Sequence, residues 1–203
     1  MLNDIYLDQR HAPFNTMYLQ RMLRVINNAT AQYPRTMVVR VDLRLPDNHD
    51  ECKAGLISRF IESLNAKIEA RYRSKLKQGI RCYPCHLRYA WVREVGEVNK
   101  KSHYHMALFV NKDTFNGLGV YGEDGTGLAS LIQAAWLSAL QLSSPPGYRT
   151  LVHVPDNPLY YLDVNALNYK TVYDKLTFRL SYFAKERTKS YNRNERSFGC
   201  SQS

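Results

Sequence analysis

The sequence predicts an α+β protein built on a ferredoxin-like split βαβ core, that is, an antiparallel sheet with helices on one face and the other face free. Three observations predict this class: strand-like and helix-like segments follow one another in the order β-α-β-β-α-β, no internal repeat or long linker interrupts them, and 203 residues suit one domain. A chain of this length can bury roughly 70% of the surface it exposes when unfolded. It therefore needs no disulfide or metal to hold its core, and any metal is expected to be functional.

The chain begins with a leading helix and a strand. Thr16 is a candidate N-cap for the helix, and Tyr33-Pro34 ends it. Residues 36–45 are rich in β-branched residues, and apolar and polar side chains alternate along them. This is the period of a half-buried strand.

A long amphipathic helix and a hairpin come next. Asp50 is a candidate N-cap for the helix, which extends to Gln78 with Gly79 as its C-cap. Residues 86–95 and 103–110 are two strands joined by a polar turn, as in an antiparallel hairpin.

The remaining elements complete the domain. A helix over 128–141 and a short strand over 150–154 finish the core, and a C-terminal helix is predicted from Asn168 to Lys189. The predicted single domain therefore contains a leading helix (1–33), a core of sheet and helices (35–155), a C-terminal helical region (156–190) and a flexible tail (191–203).

The composition points to a polyanionic partner. The formal net charge is +10, and between Lys170 and Arg196 eight basic residues face three acids and alternate with aromatic residues. Basic residues release counterions when they contact phosphates, and aromatic rings stack on bases, so this pattern favours nucleic acid. The candidate DNA-binding residues are Lys175, Arg179, Arg187 and Lys189.

The sequence also predicts a compartment. The N-terminal residues show no secretory signal, and no segment approaches the roughly 18 apolar residues of a membrane span. The four cysteines are too scattered for a disulfide framework. We therefore expect a bacterial cytoplasmic protein without membrane contact.

The motif Ser102-His103-Tyr104-His105 is the strongest chemical signal. Side chains at i and i+2 of a strand share a face, so both imidazoles should converge. Two histidines and a carboxylate form a site for a divalent cation with open positions, which can polarise a phosphate oxygen. Three carboxylates compete as the third ligand: Glu94 on the partner strand, Asp42 on the first strand and Glu97 in the turn.

A second motif lies in the C-terminal helix. Tyr182 and Lys185 are three residues apart and would share a helical face. A tyrosine is a poor nucleophile at its ordinary pKa, so a catalytic tyrosine needs a polarised phosphate and a nearby cation such as a lysine.

Together the stretches 91–113 and 179–189 resemble the HUH endonucleases, specifically rolling-circle replication initiators, and most closely the small prophage proteins of the YagK/YfjJ type, related to filamentous-phage replication proteins. The resemblance spans roughly residues 35–190. It implies an HUH-type fold, a Mg²⁺ or Mn²⁺ ion held by His103, His105 and Glu94, and Tyr182 and Lys185 as catalytic residues.

The resemblance also implies an activity and partners. The activity would be site-specific nicking and joining of single-stranded DNA through a 5′-phosphotyrosine at a replication origin, with helicase and polymerase supplied by the host. Two-tyrosine initiators carry a second tyrosine four residues after the first, where this chain has Glu186. We therefore expect a single-tyrosine mechanism, or else Tyr173 or water as a second nucleophile. The oligomeric state is left open.

Two function classes compete with this interpretation. One is a non-catalytic prophage regulator that keeps the fold and binds DNA, and the other is an RNA-binding module on a ferredoxin-like sheet. Two further patterns carry less weight. Cys82-Tyr83-Pro84-Cys85-His86 matches a haem-attachment pattern without an export signal, and the glycine-rich stretch 117–122 is not followed directly by a helix. No organic cofactor is expected.

Overall fold

The computed structural model describes residues 5–47, 55–96, 101–120, 127–143, 146–186 and 196–202. Within these ranges there are six strands and four α-helices. The strands are β1 (Arg35–Arg44), β2 (Arg88–Val95), β3 (Ser102–Asn111), β4 (Val152–His153), β5 (Leu159–Asp163) and β6 (Phe198–Cys200). The helices are α1 (Thr16–Gln32), α2 (Leu56–Lys77), α3 (Leu128–Leu140) and α4 (Tyr169–Ser181). Single 3₁₀ segments cover Gln9–His11, Pro146–Leu151 and Tyr182–Ala184.

The strands form one open antiparallel sheet in the order β4-β1-β3-β2-β6, and β5 pairs with the other end of β1. Helix α2 connects β1 to β2 across the inserted β3, which is the split βαβ connection. The prediction of an α+β protein with an antiparallel sheet is therefore confirmed, and so is the β-α-β-β-α-β order of the core.

Helices cover both faces of the sheet. The first core lies between the sheet and helices α2 and α3, and includes Phe60, Met106 and Trp136. The second core lies between the opposite face and α1, α4 and the Tyr182–Ala184 segment, and includes Ile26 and Phe183. The expectation that helices cover only one face is wrong.

The sequences of α1 and β1 explain why helices cover both faces of the sheet. Helix α1 carries an apolar stripe that must be buried somewhere, and the second face of the sheet offers it a matching apolar surface. Strand β1 is consequently buried on both faces from Thr36 to Val41, whereas the alternation in its sequence predicts a half-buried strand. Arg40 and Asp42 occupy polar positions of that alternation, yet they lie under α4 rather than in solvent.

Several predicted boundaries differ from the observed ones. Asn15, not Thr16, caps α1, because its side-chain oxygen accepts a hydrogen bond from the Tyr18 backbone N–H. The predicted helix to Lys189 ends at Ser181 and continues only as the 3₁₀ segment. The proposed cap Asp50 lies outside the described residues.

Two strands were not predicted. β5 contains Tyr160 and Tyr161 and pairs with β1, and β6 pairs with β2. The prediction of a flexible tail over 191–203 is therefore wrong for 198–200. The physical reason is that Phe198 is buried and stacks on Tyr18 of α1, with ring centroids 4.4 Å apart.

In the part of the chain that the structure describes, no helix is long and apolar enough to cross a membrane.

We predict that Gly199→Ala destabilises the protein by about 1–3 kcal/mol, because overpacking a tight site costs energy of this order. A Cβ at Gly199 would lie 2.6 Å from atoms of the buried Trp91 ring. Gly117→Ala is the matched control, since a Cβ there meets no atom within 4 Å. Urea denaturation of both variants tests the prediction, and equal midpoints for the two variants would contradict it.

Candidate functional site

A polar cluster lies at one end of the sheet, on the face that α1 and α4 cover. In the antiparallel registers, His105 is opposite Asp42 of β1, and His103 is opposite Glu94 of β2. Because side chains at i and i+2 share a face, all four groups project toward α4. The strand pairing alone therefore brings together the predicted histidines and two of the three competing carboxylates.

The two imidazoles and Glu94 point at a common position. The Nε2 atoms of His103 and His105 are 3.2 Å apart, and His105 Nε2 lies 3.3 Å from Glu94 Oε2. One ligand atom from each of the three residues lies within 4.8 Å of the others. Two ligands bound at about 2.1 Å and at right or tetrahedral angles are separated by about 3.0–3.4 Å. The donor spacing therefore fits a small divalent cation.

Asp42 has a different position. It binds the other nitrogen of His105, with Nδ1 and Oδ1 2.6 Å apart, and it also pairs with the Arg40 guanidinium. Burial raises the pKa of Asp42, but the hydrogen bond to His105 and the charge of Arg40 outweigh burial and hold the pKa below its usual range. An ionised carboxylate on Nδ1 leaves Nε2 of His105 as the nitrogen available for a ligand.

The geometry thus separates the three candidate third ligands. Glu94 faces the Nε2 atoms, whereas Asp42 orients His105 by a hydrogen bond with its Nδ1 atom. Glu97 lies outside the described residues.

Tyr182 and Lys185 reach the same cluster from the C-terminal region. The Tyr182 hydroxyl donates a hydrogen bond to Glu94 Oε2 at 2.8 Å, and it accepts one from Lys185 Nζ at 2.9 Å. The ammonium group also lies 4.1 Å from the centre of the Tyr182 ring. The pair predicted from its three-residue spacing is therefore in contact, although a 3₁₀ turn rather than an α-helix carries it.

Burial and the charge of Glu94 raise the pKa of Tyr182 well above its ordinary value. Lys185 does not overcome this effect, since its Nζ is 3.8 Å from Glu94 Oε1 and shares its charge between the carboxylate and the phenol.

Sequence reasoning missed the contribution of residues 6–15, which we term the N-terminal strap. The Asp8 N–H donates to Ser181 Oγ, the Asn15 N–H donates to the Ala184 carbonyl, and the Glu186 N–H donates to the Pro13 carbonyl. His11 packs edge-on against Tyr182, with centroids 4.9 Å apart. The strap therefore holds the tyrosine segment against the sheet.

The four candidate DNA-binding residues have different positions. Arg179 lines a cleft beside Tyr182. Lys175, one turn earlier on α4, is exposed and does not line this cleft. Arg187 and Lys189 lie outside the described residues.

The fold and the site define a class: an α+β protein in which two histidines and a glutamate on an open antiparallel sheet meet a tyrosine and a lysine from a C-terminal segment. Residues 2–201 match the model of the YagK/YfjJ C-terminal domain, and the chain belongs to this family.

Two relatives come from Escherichia coli strain K12. The chain is 39% identical to the uncharacterized protein YagK over 196 residues, covering 91% of the chain and 92% of YagK. It is 34% identical to the uncharacterized protein YfjJ over 200 residues, covering 92% of the chain and 94% of YfjJ. No solved structure matches the chain significantly.

We predict that His103 titrates below its ordinary pKa of about 6.5 in metal-free protein. Burial and the neighbouring His105 lower its pKa. As the pH falls below 6.5 the unfolded chain therefore takes up this proton first, and the free energy of unfolding decreases until the pH passes the pKa of the folded protein.

Imidazole NMR in EDTA measures the midpoint, and urea denaturation between pH 7 and pH 5 measures the stability. His103→Asn should weaken the pH dependence, with His86→Asn on the exposed surface as the matched control. A midpoint at or above 6.5 would contradict the prediction.

Proposed function

We propose that this protein is an HUH-type endonuclease that nicks and rejoins single-stranded DNA to initiate rolling-circle replication of a prophage or other mobile element. One observation carries the proposal: Tyr182, Lys185 and Glu94 are joined by two hydrogen bonds directly beside the converging Nε2 atoms of His103 and His105. A tyrosine nucleophile, a cation and a set of metal donors are the groups that phosphodiester transfer requires.

A buried polar network that only stabilises the fold is the competing explanation for such a cluster. That alternative explains the hydrogen bonds, including one between the two Nε2 atoms 3.2 Å apart, but it does not explain the approach of the Glu94 carboxylate to Nε2 of His105. When Nδ1 of a neutral His105 donates to Asp42, its Nε2 atom and the Glu94 oxygen 3.3 Å away are both acceptors, and a shared cation would stabilise this pair.

In the proposed reaction, Tyr182 attacks the scissile phosphate in line with the departing 3′ oxygen. The phenol proton passes to the Glu94 carboxylate, which already accepts its hydrogen bond. A bond forms between the tyrosine oxygen and phosphorus, and the bond between phosphorus and the 3′ oxygen breaks. The 3′ oxygen takes a proton from water and leaves as a free hydroxyl, and the 5′ phosphate stays on Tyr182. Rejoining is the reverse transfer.

Lys185 supports this step electrostatically. Its ammonium group is 2.9 Å from the oxygen that becomes negative as the proton leaves, and it is only slightly exposed. A cation in a partly dry site stabilises developing charge more strongly than one in water.

His103, His105 and Glu94 would hold Mg²⁺ or Mn²⁺, with Asp42 orienting His105. When bound, the cation would polarise a phosphate oxygen and offset the charge of Glu94 that disfavours the phenolate.

The proposal includes one tyrosine per chain. Tyr173 is half-buried in the second core, where it contacts Tyr169, and Glu186 occupies the position of a second tyrosine in the motif. Helicase and polymerase activities would come from the host, since the sequence contains no ATPase motif.

We predict that the wild-type chain forms a covalent adduct with one of a set of single-stranded oligonucleotides tiled across the neighbourhood of its gene, in the presence of Mn²⁺. Tyr182→Phe should abolish the adduct, because it removes the attacking oxygen. Tyr173→Phe is the matched control and should react like the wild type. Denaturing gels and intact mass measure the adduct.

An adduct that persists in Tyr182→Phe would refute the assignment of the nucleophile. Tight DNA binding without an adduct on any oligonucleotide would instead support a non-catalytic DNA-binding regulator that keeps this fold.

We also predict one Mn²⁺ site per chain by calorimetry. His103→Ala should abolish binding, since it removes a donor, and Asp42→Asn should weaken it by about 10–100-fold, as expected for the loss of an orienting partner. Exposed His86→Ala is the matched control. Equal affinities for the wild type and His103→Ala would exclude this site.

A further inference from the structure

A cleft of about 280 Å³ opens next to Tyr182 and His105. Three parts of the chain form it: the N-terminal strap contributes Arg10 and His11, β1 contributes Arg40, and α4 contributes Phe178 and Arg179. His105 and Tyr182 also line it, so the cleft is continuous with the candidate site.

The cleft is basic, and its carboxylates are already paired. Asp8 accepts two side-chain hydrogen bonds from Arg10, and Asp42 pairs with Arg40 and His105. Among the arginines that line the described part of the cleft, Arg10 and Arg40 are thus paired with a carboxylate, whereas Arg179 is not. Its guanidinium makes one hydrogen bond, to the Asp156 carbonyl at 3.3 Å, although the group carries five N–H donors.

Arg40 and Arg179 therefore face one small space, and Asp42, which also lines it, is already shared between Arg40 and His105. Arg40 is buried, and burial lowers its pKa; Asp42 raises this pKa in part, and the charge of Arg179 lowers it by a smaller amount. Like charges repel most in a partly dry cleft, and an anion placed between them would relieve this repulsion. A phosphate is the anion that matches the planar fork of arginine.

The size and lining of the cleft restrict the ligand. Its volume of about 280 Å³ lies just below the usual range of ligand pockets, about 300–1,000 Å³, so the cleft suits one nucleotide unit and is too small for a duplex. Phe178 and His11 add ring surface beside the arginines, as in sites that bind single strands by charge and stacking together.

We propose that this cleft binds a backbone phosphate of single-stranded DNA adjacent to the phosphate at Tyr182, with Arg179 as its main contact. This inference rests on the proposed function only in that it takes single-stranded DNA as the substrate. The cleft positions the strand, and Arg179 takes no part in breaking or forming bonds.

Lys175 is the matched comparison within the same helix. It lies one turn before Arg179 and carries the same charge, but it is exposed and outside the cleft. The sequence-based expectation that Lys175 binds DNA rests on general electrostatic attraction, which would make the two residues equivalent, whereas a built phosphate site makes them different.

The test uses the full chain and fluorescein-labelled dT20 in EDTA, where no cleavage interferes, with anisotropy measured from 50 to 200 mM NaCl. Arg179→Gln should weaken binding about tenfold and reduce the slope of log K against log salt by about 0.7, the contribution of one phosphate contact to a single strand. Arg179→Lys should restore most of the slope, and Lys175→Gln should change affinity less than about twofold. Thermal unfolding confirms that each variant is folded.

Equal losses in Arg179→Gln and Lys175→Gln would overturn the proposal, as would a wild-type chain that does not bind dT20. These outcomes are separate from the nicking assay. An adduct on Tyr182 with no specific effect of Arg179 would refute the cleft alone, and an Arg179-specific loss of binding without any adduct would refute nicking alone.

Discussion

The register of β3 between β1 and β2 is the constraint on which the rest of the site depends. It sets His105 opposite Asp42 and His103 opposite Glu94 along the backbone ladders of the sheet. A slip of one residue would turn both histidines into the first core and Met106 toward α4. That slip is strongly disfavoured, because the alternate residues of β3 are completely buried in the two cores. The apolar packing of the sheet thus fixes the polar geometry at its end.

Packing in the second core positions Tyr182, which lies outside the strands. Phe183 is completely buried directly after Tyr182, and the Arg40 guanidinium lies 5.1 Å from the centre of its ring. Burying a ring of this size contributes about 2–3 kcal/mol, far more than a partly exposed hydrogen bond. Packing of Phe183 therefore determines where the adjacent tyrosine can point. The N-terminal strap adds hydrogen bonds on both sides of it, one to the Ser181 hydroxyl and two with the backbone of Ala184 and Glu186, which hold the residues that follow the end of α4.

Sequence patterns predicted the parts of this molecule that local spacing controls. The period of β3 is sufficient to place both imidazoles on one face, and hairpin pairing is sufficient to bring Glu94 beside them. The roles of Asp42 and the N-terminal strap depend on contacts between residues far apart in the chain, for which no periodicity gives a signal. Strand β6 was missed for the same reason, since three residues pair only because Phe198 finds a partner in Tyr18 of α1. The second face was predicted to be free because Arg40 and Asp42 look like solvent-facing residues until α4 covers them.

One carboxylate connects the donor cluster to the tyrosine, and this connection orders the events of the proposed reaction. Glu94 lies beside the imidazoles and accepts the phenol proton in a hydrogen bond, while its charge raises the pKa of Tyr182. Any group that offsets the charge of Glu94 therefore weakens the effect that keeps the phenol neutral. Lys185 alone is insufficient, because the pKa of Tyr182 is raised with the ammonium group already in contact. In the proposed reaction, the charge of Glu94 would disfavour the phenolate until a cation offsets it, so filling the cluster would precede attack.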